Sequence, residues 1–178
     1  MDIFLMGYMG SGKSTVGPLL AGTIGYGFID FDSYIEEAEG LSITEIFNQK
    51  GEIYFRKKEM EYLKELLEDR GNDRRVIALG GGTPCYGNTM AFLNNHPDVF
   101  TIYLKSSVGT LKNRLIFEKS KRPLIANIND NDLAEFIAKH LFERSKYYNQ
   151  AQWSISVDDL PVEEIVSKIQ FELDEHNF

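Results

Sequence analysis

The chain has a single cysteine, Cys85, among its 178 residues. One cysteine cannot form an intramolecular disulfide, so the fold does not depend on an oxidising compartment. The apolar run at residues 3–6 is far too short for the apolar region of a signal peptide or for a membrane span, and no basic segment precedes it. These absences predict a cytoplasmic protein that does not associate with membranes.

Basic residues are also in the minority. The chain has 19 lysines and arginines against 27 aspartates and glutamates, which gives a formal net charge of −8. A nucleic-acid-binding protein normally presents a basic surface, so the composition argues against such a partner. It leaves room for a small anionic ligand, because a few well-placed cations can form a local positive pocket.

Apolar runs of strand length alternate with stretches of helical period along most of the chain. The expected strands are residues 3–6, 28–32, 76–79, 99–104 and 153–157. This alternation predicts a parallel sheet with helices on both faces, a three-layer α/β fold in one domain spanning residues 1–178. Residues from about 118 to 130 lack a clear period and carry several basic residues and asparagines, which is typical of a mobile loop.

Residues 7–14 read Gly-Tyr-Met-Gly-Ser-Gly-Lys-Ser and match the pattern G-x-x-x-x-G-K-[ST]. A predicted strand precedes the motif and a predicted helix follows it, which is the context that a phosphate-binding loop (P-loop) requires. The glycines leave backbone N–H groups free to surround phosphates, and the helix directs its positive end at the same groups. Lys13 is expected to reach the β- and γ-phosphates, and Ser14 to bind Mg²⁺. The motif predicts a nucleoside-triphosphate site.

Two acids end the second predicted strand. Alternation along a strand would place Asp30 and Asp32 on the same side, at the edge of the sheet where open α/β sheets bind ligands. One carboxylate could then hold the hydration shell of Mg²⁺, and the other could orient or deprotonate an acceptor hydroxyl. The alternative is that Asp32 caps the helix that follows.

The GTPase patterns D-x-x-G and N-K-x-D are absent from the sequence. A small chain with one P-loop and a basic loop favours a kinase that acts on small molecules. Two alternatives stay open from the residues: a P-loop kinase for another small hydroxy acid such as gluconate, and a nucleotide-binding module without turnover.

Several further motifs make the chain resemble the shikimate kinase family. They are residues 7–15, Asp30-x-Asp32, Phe55-Arg56 with Glu59, Gly80-Gly81-Gly82, Arg122-Pro123-Leu124 and Arg144, in the order and rough spacing of that family. The resemblance extends from residue 3 to about residue 157. It implies ATP-dependent phosphorylation of the 3-hydroxyl of shikimate, a step towards aromatic amino acids.

The resemblance also implies an architecture. It predicts a P-loop fold with a five-stranded parallel sheet of order 2-3-1-4-5, a substrate-binding segment at about residues 33–60 and a mobile lid at about residues 114–128. The expected partners are shikimate and ATP with Mg²⁺, and we expect a monomer.

Individual roles follow from the resemblance in the same way. The implied catalytic residues are Lys13, Asp32 and Arg122. The implied ATP contacts are Gly10, Ser11, Gly12, Lys13, Ser14, Thr15, Arg114 and Arg122. The implied contacts to shikimate are Asp32, Arg56, Gly80, Gly81, Gly82 and Arg144. Mg²⁺ would be bound by Ser14 and, through water, by Asp30.

Taken alone, two of these arginines allow simpler interpretations. Arg56 lies in a charged helical stretch and could belong to a solvated face. Arg144 could form only a surface ion pair, which is worth under about 1 kcal/mol. Leu160 departs from the polar residue that the family often offers to adenine after the last strand, so no adenine contact is assigned there.

Overall fold

The computed structural model describes residues 1–68 and 73–175, and its five strands form one parallel sheet. The strands are β1 (Asp2–Met6), β2 (Gly27–Asp30), β3 (Arg75–Ala78), β4 (Val99–Lys105) and β5 (Trp153–Ser156). Their order across the sheet is β2-β3-β1-β4-β5. The α/β class, the parallel sheet and the strand order predicted from the sequence are therefore confirmed.

Helices follow each strand, as the alternation predicts. They are α1 (Lys13–Ile24), α2 (Phe31–Glu39), α3 (Ile43–Glu68), α4 (Thr89–Asn94), α5 (Val108–Leu115), α6 (Leu133–Tyr148) and α7 (Val162–Glu175). The short helix α4 was not predicted, because six residues are too few to display a helical period. Among the residues that the structure describes, no helix has both the length and the apolar character needed to cross a bilayer.

Helix α3 begins with a reciprocal cap and is interrupted once. The Ser42 amide donates to the Glu45 carboxylate at 2.9 Å, and the Glu45 amide donates to the Ser42 hydroxyl at 3.3 Å. This reciprocal pair of hydrogen bonds is a capping box. At Gly51 the backbone has a φ of 82° and a ψ of 168°, so the helical path breaks there and resumes. The first part of α3 and the part that carries Arg56 are thus separate helical pieces.

The central strand β1 is buried on both faces of the sheet. Because successive side chains alternate, Ile3 and Leu5 face one apolar layer and Phe4 and Met6 face the other. The first layer is made mainly by α1 and α7, and the second by α2, α3, α5 and α6. The predicted helices therefore cover both faces and fix the ends of the strands relative to one another.

The second strand is shorter than predicted, which changes the setting of its two acids. β2 ends at Asp30, and Asp32 already belongs to the first turn of α2. Asp30 is the N-cap of that helix, since its carboxylate accepts from the Ser33 amide at 3.2 Å. The strand-alternation argument for these acids was therefore wrong, and so was the alternative that made Asp32 the cap.

We expect Gly17→Ala to destabilise the protein by about 1–3 kcal/mol, the usual range for overpacking. Gly17 is buried in α1, and a Cβ at this position would collide with the ring of Phe28. Gly22→Ala in the same helix is the matched control, because nothing lies within 4 Å of its added Cβ. At Gly22 the higher helix propensity of alanine should stabilise the protein by roughly 0.5–1 kcal/mol. Urea unfolding measures both, and equal effects at the two positions would contradict the packing argument.

Candidate active site

A cavity of about 750 Å³ lies at the carboxyl ends of the strands, where open α/β sheets bind ligands. Its walls come from the P-loop, the start of α2, α3, the turn after β3, α5, the loop that follows α5, and α6. Every site residue predicted from the sequence lines it: Gly10, Ser11, Gly12, Lys13, Ser14, Thr15, Asp30, Asp32, Arg56, Gly80, Gly81, Gly82, Arg114, Arg122 and Arg144. The fold thus brings together residues that lie up to 134 positions apart, from Gly10 to Arg144.

The P-loop curls around the side chain of its own lysine. Gly12 caps α1 with a φ of 100°, a conformation that L-residues with side chains rarely adopt. The Lys13 ammonium donates to the carbonyls of Gly7 at 2.8 Å and Tyr8 at 3.2 Å. Desolvation lowers the pKa of Lys13 to about 8, although the nearby Asp32 carboxylate acts in the opposite direction. The ammonium is therefore held inside the loop at the base of the cavity.

Oxygen atoms cluster beside the loop. The Ser14 hydroxyl donates to the Asp30 carboxylate at 3.3 Å, which places the two side chains in contact. Hydroxyl and carboxylate oxygens suit Mg²⁺, which usually completes its shell with water and phosphate oxygens. Within residues 1–68 and 73–175, no group of three or more His, Cys, Asp or Glu side chains could hold a metal ion. A magnesium ion beside Ser14 and Asp30 would therefore need those additional oxygens.

Asp32 is the most perturbed carboxyl group of the cavity. Burial raises its pKa to about 6, and the neighbouring carboxylates of Asp30 and Glu59 act in the same direction. Lys13 opposes this shift without cancelling it. A carboxyl group that titrates near neutral pH inside a cavity is able to exchange protons with a bound hydroxyl.

Three glycines after β3 allow charged side chains to approach the backbone closely. A Cβ on Gly80 would collide with the Asp32 carboxylate, and a Cβ on Gly82 would lie 2.7 Å from a guanidinium nitrogen of Arg56. At Gly81 it would lie 3.5 Å from the Met9 amide nitrogen. The absence of side chains is therefore needed most at Gly80 and Gly82.

Arg56 projects from α3 into this region and does not belong to a solvated face. Its side chain is only 12% exposed, and its guanidinium donates to the Glu59 carboxylate at 2.8 Å. Glu59 is itself buried and accepts from the Thr83 hydroxyl at 2.5 Å. Glu59 belongs to the family pattern, but the sequence alone assigns it no role. In the structure it orients Arg56 towards Gly82.

Arg144 and Tyr148 from α6 meet at one carbonyl of the glycine triplet. The Arg144 guanidinium donates to the Gly81 carbonyl at 3.1 Å, and the Tyr148 hydroxyl donates to it at 2.6 Å. Arg144 thus makes a long-range contact to the backbone of the cavity wall. Sequence reasoning missed Tyr148, because nothing in its local sequence distinguishes it from a packing aromatic.

Two further arginines stand at the P-loop side of the cavity. Arg114 donates to the carbonyls of Gly10 at 3.1 Å and Val157 at 3.3 Å, so it braces the P-loop against the end of β5. Arg122 donates through two nitrogens to Glu118, at 2.9 and 2.5 Å. The ATP contacts of Arg114 and Arg122 stay predictions.

The segment from 118 to 130 has more order than an irregular loop. It contains a 3₁₀ turn at Lys119–Lys121 and further backbone hydrogen bonds as far as Ile128. Ile125 is fully buried and anchors the segment in the core, whereas Leu124 is 60% exposed and lines the cavity. The cavity rim thus has a fixed base beneath an exposed apolar edge.

The P-loop, the parallel sheet and the acids beside Lys13 define a P-loop protein of the nucleoside-triphosphate-binding class. Comparison with known proteins narrows this class. The family model for shikimate kinase matches residues 9–174. The chain is 52% identical to the shikimate kinase of Flavobacterium johnsoniae over 167 residues, which cover 94% of this chain and 95% of that protein. The chain belongs to the shikimate kinase family.

Solved structures agree with this assignment. The crystal structure of shikimate kinase from Bacteroides thetaiotaomicron matches with a TM-score of 0.89 at 36% identity, covering 98% of each chain. Shikimate kinase from Acinetobacter baumannii, solved in complex with shikimate, matches with a TM-score of 0.84 at 31% identity over 98% of this chain and 93% of that one. The resemblance inferred from the motifs is therefore confirmed at the level of the family.

We expect Asp32→Asn to stabilise the protein at pH 8. Because the pKa of Asp32 is raised to about 6 in the folded state, ionising this group opposes folding. As the pH rises from about 4 to about 6, Asp32 ionises in the unfolded chain before it ionises in the folded protein. The free energy of unfolding therefore falls over this range. Between pH 4.5 and pH 8 the stability of Asp32→Asn relative to the unchanged protein should rise by on the order of 1–3 kcal/mol.

Urea unfolding at the two pH values measures this effect, with Asp158→Asn as a control of opposite sign. Burial tends to raise the pKa of Asp158, but hydrogen bonds from Ser107 and Thr110 outweigh burial and lower it. Asp158→Asn should therefore destabilise the protein by nearly the same amount at pH 8 and at pH 4.5, because the stability gained from a lowered carboxyl pKa is lost only below about pH 4. If the effect of Asp32→Asn did not change with pH, the pKa of Asp32 would not be raised in the folded protein.

Proposed function

We propose that the protein transfers the γ-phosphoryl group of ATP to the 3-hydroxyl of shikimate, giving shikimate 3-phosphate and ADP. The observation that carries this proposal is the convergence of Asp32, Arg56 and Arg144 on the glycine triplet in the same cavity as the P-loop. One side of the cavity suits a triphosphate, and the other suits a hydroxylated carboxylic acid. Membership of the shikimate kinase family supports the same assignment.

Two guanidinium groups suit the carboxylate of shikimate. A planar guanidinium can bind a carboxylate through two parallel hydrogen bonds, which an ammonium group cannot do. Arg56 is oriented by Glu59 and Arg144 by the Gly81 carbonyl, so both are positioned before any ligand arrives. Binding the acid at this end would hold its ring hydroxyls near Asp32.

In the proposed reaction, the 3-hydroxyl oxygen forms a bond to the γ-phosphorus and the bond from that phosphorus to the β,γ-bridging oxygen breaks. ADP leaves with the electron pair, and the hydroxyl proton passes to Asp32 and then to solvent. The pKa of about 6 suits Asp32 to accept a proton late in a loose transition state. Lys13 would offset the charge that develops between the β- and γ-phosphates.

Mg²⁺ would be held by the Ser14 hydroxyl directly and by Asp30 through water, together with phosphate oxygens. The ion supplies positive charge that offsets the charge of the phosphates. The contact between Ser14 and Asp30 supports this role, because it places both oxygens on the same side of the P-loop. Gly10, Ser11, Gly12 and Thr15 would contribute backbone N–H groups to the phosphates.

Residues 114–128 would form a lid that closes over the nucleotide, and residues 33–60 would form the segment that holds the acid. Closure would exchange the partner of Arg122 from Glu118 to the transferred phosphoryl group. It would also exclude water, which otherwise competes with shikimate as the acceptor. Arg114, which lines the cavity beside the P-loop, would stack on the adenine.

We predict that ADP release with ATP and Mg²⁺ depends on shikimate, and not on gluconate, AMP or buffer. Asp32→Asn should lower this turnover by about 100-fold or more, the usual effect of removing an acid–base group. The variant should bind ATP within about tenfold of the unchanged protein, because Asp32 lies beside the P-loop rather than in it. A coupled ADP assay and calorimetry measure the two quantities. Turnover with gluconate alone, or with no acceptor in the panel, would contradict the proposal.

We also predict that Arg56→Lys raises the KM for shikimate by roughly 10- to 100-fold, the range for losing a hydrogen bond between charged groups. The KM for ATP should change little. Arg74→Lys is the matched control, because Arg74 is exposed and donates to the Tyr26 hydroxyl away from the cavity. If both variants had the same KM for shikimate, Arg56 would not contact the substrate.

A further inference from the structure

A tyrosine in the P-loop makes a hydrogen bond that the proposed reaction does not use. Tyr8 is the second residue of the G-x-x-x-x-G-K-S motif, and its side chain is 1% exposed. Its hydroxyl lies 3.0 Å from Nδ1 of His140 on α6, and the two rings meet edge to face with centroids 5.6 Å apart. The two residues are 132 positions apart in the chain. The contact therefore joins the P-loop to a distant helix.

The same tyrosine also touches the arginine that the proposed function assigns to the carboxylate. The guanidinium carbon of Arg144 lies 5.8 Å from the centre of the Tyr8 ring, within the range of a cation–π interaction. Arg144 follows His140 by four residues, so both project from the same face of α6. Tyr8 thus contacts α6 at two successive turns through one side chain.

The backbone of Tyr8 faces the nucleotide side. Its carbonyl accepts a hydrogen bond from the Lys13 ammonium at 3.2 Å. The same ammonium donates a second hydrogen bond to the neighbouring Gly7 carbonyl at 2.8 Å. One residue therefore contacts both the lysine expected at the phosphates and the arginine expected at the acid. Neither Tyr8 nor His140 lines the cavity, so any role in the reaction must act through these neighbours.

We infer that Tyr8 and His140 form a positioning pair that holds α6 against the P-loop and thereby sets the position of Arg144 for the acid substrate. This inference rests on the proposed function, because it assigns the effect to shikimate binding. Burial raises the pKa of Tyr8 to about 12, so its hydroxyl stays protonated at neutral pH and can donate to His140. Burial and the nearby Arg144 lower the pKa of His140, which favours the neutral ring that accepts.

Tyr8→Phe removes the hydroxyl and keeps the ring beneath Arg144, and His140→Ala removes the acceptor. Each should raise the KM for shikimate about fivefold, the effect of losing one neutral hydrogen bond. The KM for ATP and kcat should stay within about twofold, because Lys13 contacts the Tyr8 backbone rather than its hydroxyl. The double variant should be no worse than the poorer single variant, because both changes remove the same bond.

His140→Asn is the rescue variant, since its amide oxygen can take the place of Nδ1 and accept from Tyr8. Its KM for shikimate should return to within about twofold of the unchanged protein, even where the asparagine lowers helix stability. Tyr26→Phe and His96→Ala are matched controls that remove a hydrogen-bonded hydroxyl and a hydrogen-bonded imidazole elsewhere. Both should leave the KM unchanged.

Turnover of the unchanged protein with shikimate is measured first, and its absence would overturn the proposed function itself. With turnover present, a rise in the KM for ATP alone, or a loss of kcat at constant KM, would overturn the positioning role. Additive effects in the double variant would show that the two residues act separately, which also contradicts the pair. If a variant proves too slow to assay, the Kd of shikimate from calorimetry should show the same fivefold change.

Discussion

Three consecutive glycines let the charged side chains of the cavity approach a single stretch of backbone. Asp32 occupies the space that a side chain on Gly80 would need, and Arg56 occupies the corresponding space at Gly82. Between them, the Gly81 carbonyl accepts from Arg144 and Tyr148. These partners come from three different helices, so the triplet is the point at which α2, α3 and α6 take their positions relative to β3. Even an alanine at Gly80 or Gly82 would force the Asp32 or Arg56 side chain to shift.

The cations of the cavity are held by internal acceptors in the structure. Lys13 is held by P-loop carbonyls, Arg56 by Glu59, Arg122 by Glu118 and Arg144 by the Gly81 carbonyl. A buried cation without a partner would be strongly destabilising, so Arg56, whose side chain is only 12% exposed, needs such an acceptor in the free protein. In the proposed function, a phosphate or carboxylate takes over or joins these contacts with little rearrangement. The net charge of −8 is therefore compatible with an anion site.

The sequence predicts the sheet well because strand and helix periods are local signals. The positions of the five strands followed from these signals, whereas the order β2-β3-β1-β4-β5 was implied by the resemblance to the shikimate kinase family. The acids at the end of β2 show where local signals mislead: Asp30 caps α2, and this hydrogen bond ends the strand before Asp32. Both carboxylates still line the cavity, since the start of α2 lies at the same edge of the sheet. The roles of Glu59 and Tyr148 depend on partners far away in the chain, so no local pattern could indicate them.

This difference between local and distant contacts also explains what each motif can identify. The P-loop needs only eight consecutive residues to form a phosphate site, so it defines the nucleotide side from sequence alone. In the proposed function, the acid side depends on α3, the glycine triplet and α6, whose relative positions come from packing. A protein could keep the P-loop unchanged and accept another molecule if α6 moved by a fraction of its diameter. The contacts from the P-loop to α6 through Tyr8 oppose such a movement, and the inferred positioning role would in this way link phosphate binding to the choice of acceptor.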